Sequence, residues 1–273
     1  MLQDLAAAIK EKNVILFVGS GVPNNLGLPT YPEMINQMAI HLGLDPDTFN
    51  MWGNSDFLLL GEYYHLQKGS LGGLRSWMDR NWHNPDIHIG ESEIYKTIIE
   101  LDFPIIYTTN FDRWLETAYD FYHKDYIKIT NVADFPRIHH NKTQIIKFHG
   151  DFDDDSSLVL TESSYFNRMD FETPIDIKLR NDSLEKSILF IGYSLSDINI
   201  RYMLYKLHRQ WKESNNEHTR PKSYIFMVEQ NPIKEALLQE RGIIPIVPDR
   251  EEPGTALLNF LMDIKNQIEK EKH

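Results

Sequence analysis

Short apolar runs that alternate with amphipathic helical patterns constrain the fold of this chain more than any other feature. Six runs are mostly apolar and too short for helices, which is typical of strands buried on both faces of a parallel sheet. The segments between them carry apolar residues at the i, i+3, i+4, i+7 spacing of a helix. This alternation predicts an α/β fold with a doubly wound, Rossmann-like parallel sheet. The predicted strands span residues 14–18, 105–107, 145–148, 188–191, 224–228 and 243–247.

Two stretches interrupt the alternation. Residues from about 31 to 100 show mostly helical patterns and are rich in tyrosine, tryptophan and glycine. Residues from about 151 to 181 are acidic and irregular, with a possible short strand at 158–160. No Pro/Ser/Gly-rich linker and no internal repeat divides the chain. We therefore expect a single domain over 1–273, with a mostly helical insertion and an irregular acidic excursion.

Composition excludes several classes of protein. The chain contains no cysteine, which rules out disulfides, thiolate zinc sites and cysteine nucleophiles. Its 40 acidic residues outnumber 28 basic ones, and the net charge of −12 opposes broad nucleic-acid binding. No apolar run approaches the roughly 20 residues of a membrane helix, and the first residues lack a signal-peptide pattern. We expect a cytoplasmic protein without direct membrane or broad nucleic-acid binding.

Small and polar residues follow the first predicted strand, where a doubly wound sheet binds its ligands. Gly19, Ser20 and Gly21 can bring backbone N–H groups close to a phosphate at the start of a helix. The third glycine of the dehydrogenase fingerprint is replaced by Asn24. A tight strand-to-helix turn without a ligand explains this loop about equally well.

Polar residues also end the next two strands. Asn110 and Asp112 follow 105–107, and an amide and a carboxylate suit ribose hydroxyls, although Asp112 can equally cap the following helix. His149 follows the strand at 145–148, and its ordinary pKa suits proton transfer near neutral pH. A lone histidine is otherwise more often a packed residue.

The later strands add three candidates. Gly192 and Ser194 lie on the turn after 188–191, while the nearby Asp197 is typical of a helix cap. Glu229 follows 224–228, where an acidic side chain can bind the ribose hydroxyls of a dinucleotide. A solvated turn residue is the alternative for Glu229.

In this order along the chain, the motifs resemble those of the sirtuin superfamily. Gly-Ser-Gly at 19–21 and Gly-Leu-Pro at 27–29 resemble its Gly-Ala-Gly and Gly-Ile-Pro. Thr-Asn-Phe-Asp at 109–112 resembles its Gln-Asn-x-Asp, His-Gly at 149–150 its catalytic His-Gly, and Gly-Tyr-Ser at 192–194 its Gly-Thr-Ser. The resemblance extends from about residue 10 to about residue 250.

Departures from the sirtuin pattern narrow the resemblance. Sirtuin deacetylases carry a four-cysteine zinc module, which this chain lacks, and their Asp-Phe-Arg is Thr-Tyr-Pro at 30–32 here. The motifs at 109–112 and 192–201 are more similar to the sirtuin-like branch of bacterial anti-phage defence. Members of that branch hydrolyse NAD, and the size of this chain is similar to that of members paired with a HerA-family hexameric ATPase.

The resemblance implies a reaction that breaks the nicotinamide–ribose bond of NAD without a metal. Asn110 would orient the ribose and the attacking water, Asp112 would fix the ribose or its loop, and His149 would act as general base. The rest of NAD would contact residues at the ends of the first, fourth and fifth predicted strands. These residues are Gly19, Ser20, Gly21, Gly192, Ser194 and Glu229.

Two other functions stay open, and the resemblance also predicts assembly. A module that binds NAD or ADP-ribose, or a scaffold, has no chemical need for both Asn110 and His149. A protein-lysine deacylase needs an acyl-peptide groove, and the missing zinc module argues against it. The resemblance and the aromatic-rich stretch 31–82 predict a homo-oligomer, and the resemblance suggests the HerA-family ATPase as a partner.

Overall fold

The computed structural model describes residues 1–54, 56–139, 141–195, 197–249 and 251–270. Within them the chain forms seven strands: β1 Val14–Val18, β2 Ile105–Thr108, β3 Tyr126–Ile129, β4 Thr143–Lys147, β5 Ser187–Ile191, β6 Ser223–Phe226 and β7 Ile243–Ile246. The same residues form twelve α-helices: α1 Leu2–Lys10, α2 Tyr31–Leu42, α3 Pro46–Trp52, α4 Phe57–Lys68, α5 Gly72–Trp82, α6 Glu93–Leu101, α7 Trp114–Phe121, α8 Glu162–Asn167, α9 Pro174–Glu185, α10 Ile198–Glu213, α11 Pro232–Glu240 and α12 Pro253–Lys270. No helix in these ranges is long and apolar enough to cross a lipid bilayer.

The strands form one parallel sheet in the order β3-β4-β2-β1-β5-β6-β7. The predicted α/β architecture is confirmed, and all six predicted strands are present with ends within two residues of those expected. The sequence did not predict β3, an edge strand whose residues alternate between buried and half-buried. Lys128 interrupts its apolar pattern, so the four residues do not stand out as a run.

Both faces of the sheet are covered, which makes the fold doubly wound. Successive residues of β1 alternate between two cores, with Leu16 in one and Phe17 in the other. Helices α1, α6 and α12 contribute to the first core, and α9, α10 and α11 contribute to the second. Burial on both sides explains why most strands are continuous apolar runs in the sequence.

The first excursion is helical, as the sequence predicts. It holds α2, α3, α4, α5 and most of α6, and none of its described residues forms a strand. Thr30 begins α2 in a capping box, because its backbone N–H and hydroxyl both donate to Glu33 Oε2, at 2.6 and 2.8 Å. This layer lies beside the carboxyl edge of the sheet, where Tyr31 reaches a cavity described below.

The acidic stretch 151–181 contains more regular structure than the sequence predicts. Thr161 and Thr173 accept hydrogen bonds from the first turns of α8 and α9, so the irregular prediction is wrong for these helices. The possible strand at 158–160 is also wrong. Its three residues are buried, but Val159 N–H donates to the carbonyl of His149 at 2.9 Å and the segment pairs with no strand. Burial under a loop produced an apolar run that resembles a strand.

Candidate active site

The loops after β1 and β5 meet where the strand order reverses, at the carboxyl edge of the sheet. Gly19 N–H donates to the carbonyl of Ile191 at 3.0 Å, and Gly21 N–H donates to the carbonyl of Gly192 at 2.8 Å. A Cβ on Gly19 would lie 2.4 Å from the Gly192 oxygen, and one on Gly21 would lie 2.8 Å from the Gly192 Cα. Glycine is therefore required because two backbones are in contact, whether or not a ligand binds.

A cavity of about 640 Å³ opens beside these loops. Five of the predicted site residues line it: Ser20, Gly21, Gly192, Ser194 and Glu229. The sequence reasoning missed Lys234, which lines the same cavity from the first turn of α11 and donates to the carbonyl of Ser194. Burial and the neighbouring Arg201 lower the pKa of Lys234. The lining of the cavity thus combines acidic and basic side chains with the backbone of Gly21 and Gly192.

A smaller cavity of about 60 Å³ adjoins the first, and Ser20 and Asn24 line both. Asn110 and Asp112 line the smaller cavity, and Tyr31 lines it from the start of α2. Its volume is several times the 10–15 Å³ that one water needs. The structure therefore brings the residues after β1 and β2 to two neighbouring cavities that share part of their lining.

The loop that carries Asn110 and Asp112 is held by local hydrogen bonds. Thr108 Oγ1 accepts from Asn110 N–H at 3.0 Å and donates to the carbonyl of Val18 at 2.9 Å. Asp112 Oδ1 accepts from Trp114 N–H at 3.1 Å, at the start of α7. The capping interpretation of Asp112 is wrong in position, because the cap residue of α7 is Arg113 and Asp112 accepts the Trp114 N–H from one residue before it. The Asp112 side chain lines the smaller cavity.

His149 lies apart from both cavities. Its side chain is 3% exposed, and its ring meets the ring of Tyr165 edge-on with centroids 5.2 Å apart. Burial lowers the pKa of His149 to about 4, although the nearby carboxylate of Asp197 works in the opposite direction. The imidazole is therefore neutral at pH 7 and has a lone pair that can accept a proton. The expectation of an ordinary pKa near neutrality is wrong for this residue, because burial disfavours the charged ring.

Asp197 is the residue that faces His149. Its Oδ2 lies 3.3 Å from His149 Nε2, and the Tyr165 hydroxyl donates to the same oxygen at 3.4 Å. The other oxygen, Oδ1, accepts from the N–H groups of Asn199 and Ile200 at 2.8 and 3.1 Å. The predicted helix cap is thus present at α10. No sequence pattern pointed to the contact with His149, because the two residues come together only in the folded chain.

A second histidine, His83, contacts the backbone of the residue that follows Asp112. His83 Nε2 accepts from Arg113 N–H at 2.9 Å, so its proton is on Nδ1, which lies 2.9 Å from Asp79 Oδ1. Arg113 also donates to Asp79 Oδ1, at 2.7 Å. These contacts fix the residue that follows Asp112. Among the described residues, no group of three or more histidine or acidic side chains is arranged to hold a metal ion.

This chain is similar in sequence to curated NAD(+) hydrolases and to a defense-associated sirtuin. NAD(+) hydrolase ThsA of Enterococcus faecium is 26% identical over 221 residues, which is 80% of this chain and 45% of that protein. Defense-associated sirtuin 2 of Bacillus subtilis is 21% identical over 243 residues, covering 87% of this chain and 23% of that protein. This chain therefore spans less than half the length of these curated relatives. A solved Sir2 enzyme shares the fold with a TM-score of 0.54 at 12% identity, covering 99% of this chain and 98% of that one.

The family match covers the part of the chain that builds most of the site. The SIR2-like domain matches residues 104–246, which is more than half of the 273 residues. The matched region runs from β2 to β7 and includes the loops that carry Asn110, His149 and Gly192. This chain therefore belongs to the family of SIR2-like domains.

Proposed function

We propose that this chain hydrolyses NAD to nicotinamide and ADP-ribose, as an effector of anti-phage defence. The observation that carries the proposal is that two cavities share Ser20 and Asn24 in their walls, with Glu229 lining one and Asn110 lining the other. Two adjacent cavities with different linings suit a long ligand with two chemically different ends. The names of the relatives, NAD(+) hydrolase and defense-associated sirtuin, support the same function.

The larger cavity suits the adenosine and diphosphate part of NAD. Its volume of about 640 Å³ falls in the ordinary range for small-molecule sites. Ser20, Gly21 and Ser194 line this cavity, and we place the diphosphate at Ser20, because the Gly21 N–H already donates to the Gly192 carbonyl. Glu229 is exposed and lines the same cavity, where a carboxylate can accept hydrogen bonds from the adenosine ribose.

We place the nicotinamide end, where the bond breaks, at the smaller cavity, because Asn110 and Asp112 line it. The bond between C1′ of the ribose and the pyridinium nitrogen breaks with both electrons going to nitrogen, so nicotinamide leaves as a neutral molecule. A water oxygen then forms the new bond to C1′ and releases one proton. The Asn110 amide orients the ribose and this water, and Asp112 holds the ribose hydroxyls or the loop itself.

His149 accepts the released proton in this proposal. Its neutral imidazole is in the right protonation state at pH 7, and general-base catalysis typically contributes 10²–10⁴-fold. Because His149 is buried against Asp197 and Tyr165, bound NAD must displace part of this cluster before the ring can reach the ribose. The isolated chain is therefore expected to cleave NAD slowly until a further event opens the cluster.

The seclusion of His149 also favours a second candidate function, a module that binds NAD or ADP-ribose without cleaving it. In that case both cavities would be filled while His149 stayed against Asp197. A third possibility, a lysine deacylase, would release nicotinamide only when an acyl-lysine peptide is present. The three functions thus differ in whether nicotinamide appears and in what it requires.

Nicotinamide release from NAD, measured by chromatography, separates these functions. We expect the purified chain to release nicotinamide without any peptide, and Asn110→Ala and His149→Ala to lower the rate at least about 100-fold. His88→Ala is the matched control, because His88 is exposed and lines neither cavity. Saturable NAD binding without release would favour the binding module, and release only with acyl-peptide would favour the deacylase.

We also propose that the chain forms a homo-oligomer and works with a HerA-family ATPase. Large apolar side chains on α3 and α4 support an interface, because they are 43–75% exposed: Met51, Trp52, Leu59, Tyr63 and Leu66. Light scattering after size exclusion should give a mass above one chain, and Trp52→Glu should lower it. A monomer at micromolar concentration would contradict self-association, and unchanged NAD cleavage on adding the ATPase would contradict the partnership.

A further inference from the structure

A fully buried lysine lies directly beneath the loop that carries Asn110. Lys147 is the last residue of β4, pairs with Thr108 of β2, and has a side chain with 0% exposure. Burying an ammonium group is unfavourable unless hydrogen bonds or an opposite charge compensate for the lost water. The partners of Lys147 therefore show what this position is built to do.

The defined hydrogen bond of Lys147 goes to the loop rather than to an acid. Its Nζ donates to the backbone carbonyl of Asp112, while Glu116 Oε1 lies at 3.4 Å. Both carboxylate oxygens of Glu116 are buried without a hydrogen-bond partner, and burial raises the pKa of Glu116. Lys147 and Glu116 thus form an ion pair without a hydrogen bond, whereas Lys147 does form a hydrogen bond with the Asp112 carbonyl.

Fold stability does not account for this pair. Replacing a buried ion pair by apolar residues of similar volume is often neutral or stabilising, so a core position on a parallel strand has no need of a lysine. Every other residue of β4 is also buried, and the neighbouring residues Ile145 and Ile146 are apolar. The distinctive property of Lys147 is that it can reach a carbonyl in the loop after β2.

We propose that Lys147 is a positioning residue that fixes the 109–112 loop, and with it the Asn110 amide, against the smaller cavity. The inference rests on the proposed function, because it assigns Lys147 to the same site. Two hydrogen bonds hold the loop at its ends, from Asn110 N–H to Thr108 Oγ1 and from Arg113 N–H to His83 Nε2. Lys147 adds a hydrogen bond from the end of β4 to the Asp112 carbonyl.

The expected effect is on turnover more than on NAD affinity. Without Lys147 the Asp112 carbonyl loses its donor and the loop shifts, and a displacement of about 1 Å in a positioning group can slow a reaction about 100-fold. Most of the NAD contacts lie in the larger cavity, which Lys147 does not line. We therefore expect kcat to fall about 100-fold while KM for NAD changes less than about threefold.

Three variants separate positioning from folding. Lys147→Met removes the donor, and Lys147→Met with Glu116→Met replaces the whole pair, so that no unpaired charge is left to destabilise the core. Glu116→Gln is the control for the charge pair, because it keeps the donation from Lys147 to the Asp112 carbonyl. Its Tm is measured with the others, since it leaves the ammonium group without an opposite charge. Each variant is measured for kcat and KM, and for hydrogen–deuterium exchange of the backbone amides at 108–115, a readout that needs no catalysis.

Both lysine variants should show the fall in kcat and at least about tenfold faster exchange at 108–115, with Glu116→Gln unchanged in both. If the amides at 108–115 exchange in the double variant at the wild-type rate, the proposal is wrong, whether or not the chain cleaves NAD. It is also wrong if these amides exchange faster in the lysine variants while kcat stays at the wild-type value. A wild-type chain that releases no nicotinamide would refute the proposed function. Faster exchange in the lysine variants would then still support Lys147 as the residue that fixes the loop.

Discussion

Replacing His149 by glutamine should remove a defined part of the chain's sensitivity to acid. In the folded chain burial lowers the pKa of His149 from 6.5 to about 4, so between these values the unfolded chain binds a proton that the folded chain does not. Stability therefore falls as pH falls through 6.5, and the loss is complete near pH 4. From about pH 7.5 to about pH 4.5 this linkage is worth about 2–3 kcal/mol of unfolding free energy.

Urea denaturation of wild type and His149→Gln at both pH values measures this quantity. Carboxylates also titrate in this range, but they are common to both proteins, so the difference between the two pH dependences isolates His149. We expect wild type to lose about 2–3 kcal/mol more than the variant. His88→Gln, at an exposed histidine, should behave like wild type. Equal acid sensitivity of wild type and His149→Gln would refute the assignment of a buried, neutral imidazole.

Three further substitutions test other parts of the site. Asp197→Asn keeps a side chain able to cap α10 but removes the charge that raises the pKa of His149. We therefore expect kcat to fall about tenfold or more and the acid limb of the pH–rate profile to shift to lower pH. Gly19→Ala places a Cβ 2.4 Å from the Gly192 oxygen and should lower both Tm and NAD affinity. The control Gly43→Ala, at φ 71° with no atom within 4 Å of the new Cβ, should cost about 1–2 kcal/mol of stability and leave NAD binding unchanged. Lys234→Gln should raise KM for NAD about tenfold, equivalent to about 1.4 kcal/mol, with kcat retained; an unchanged KM would remove Lys234 from the NAD site.

Most of the sheet could be predicted because burial on both faces leaves a direct trace in the sequence. Runs such as 14–18 are apolar throughout, since every side chain meets a helix layer on one face or the other. The edge strand β3 has no such trace, because half of its side chains face a partly solvated surface. The apolar residues at 158–160 led to a wrong strand prediction, because burial under a loop needs the same residue types as burial in a strand.

Candidate site residues were predictable where the fold rule alone places them, at the carboxyl ends of strands. Ser20, Asn110 and Glu229 come two or three residues after the ends of β1, β2 and β6, and they line the cavities. The contact of Asp197 with His149 and that of Lys147 with the Asp112 carbonyl were not predictable in this way. Each joins residues more than 30 positions apart, and each depends on side-chain directions that a local pattern does not encode.

The central claim is that water takes the ADP-ribose of NAD at the cavity lined by Asn110, and product analysis in heavy-oxygen water tests it most directly. Purified chain, wild type beside Asn110→Ala, is incubated with NAD in water enriched in the heavy isotope of oxygen, and the products are weighed by mass spectrometry. We predict nicotinamide together with ADP-ribose that carries one heavy oxygen, formed by wild type and not by the variant. Unlabelled ADP-ribose, ADP-ribose attached to another acceptor, or equal product from Asn110→Ala would contradict the account.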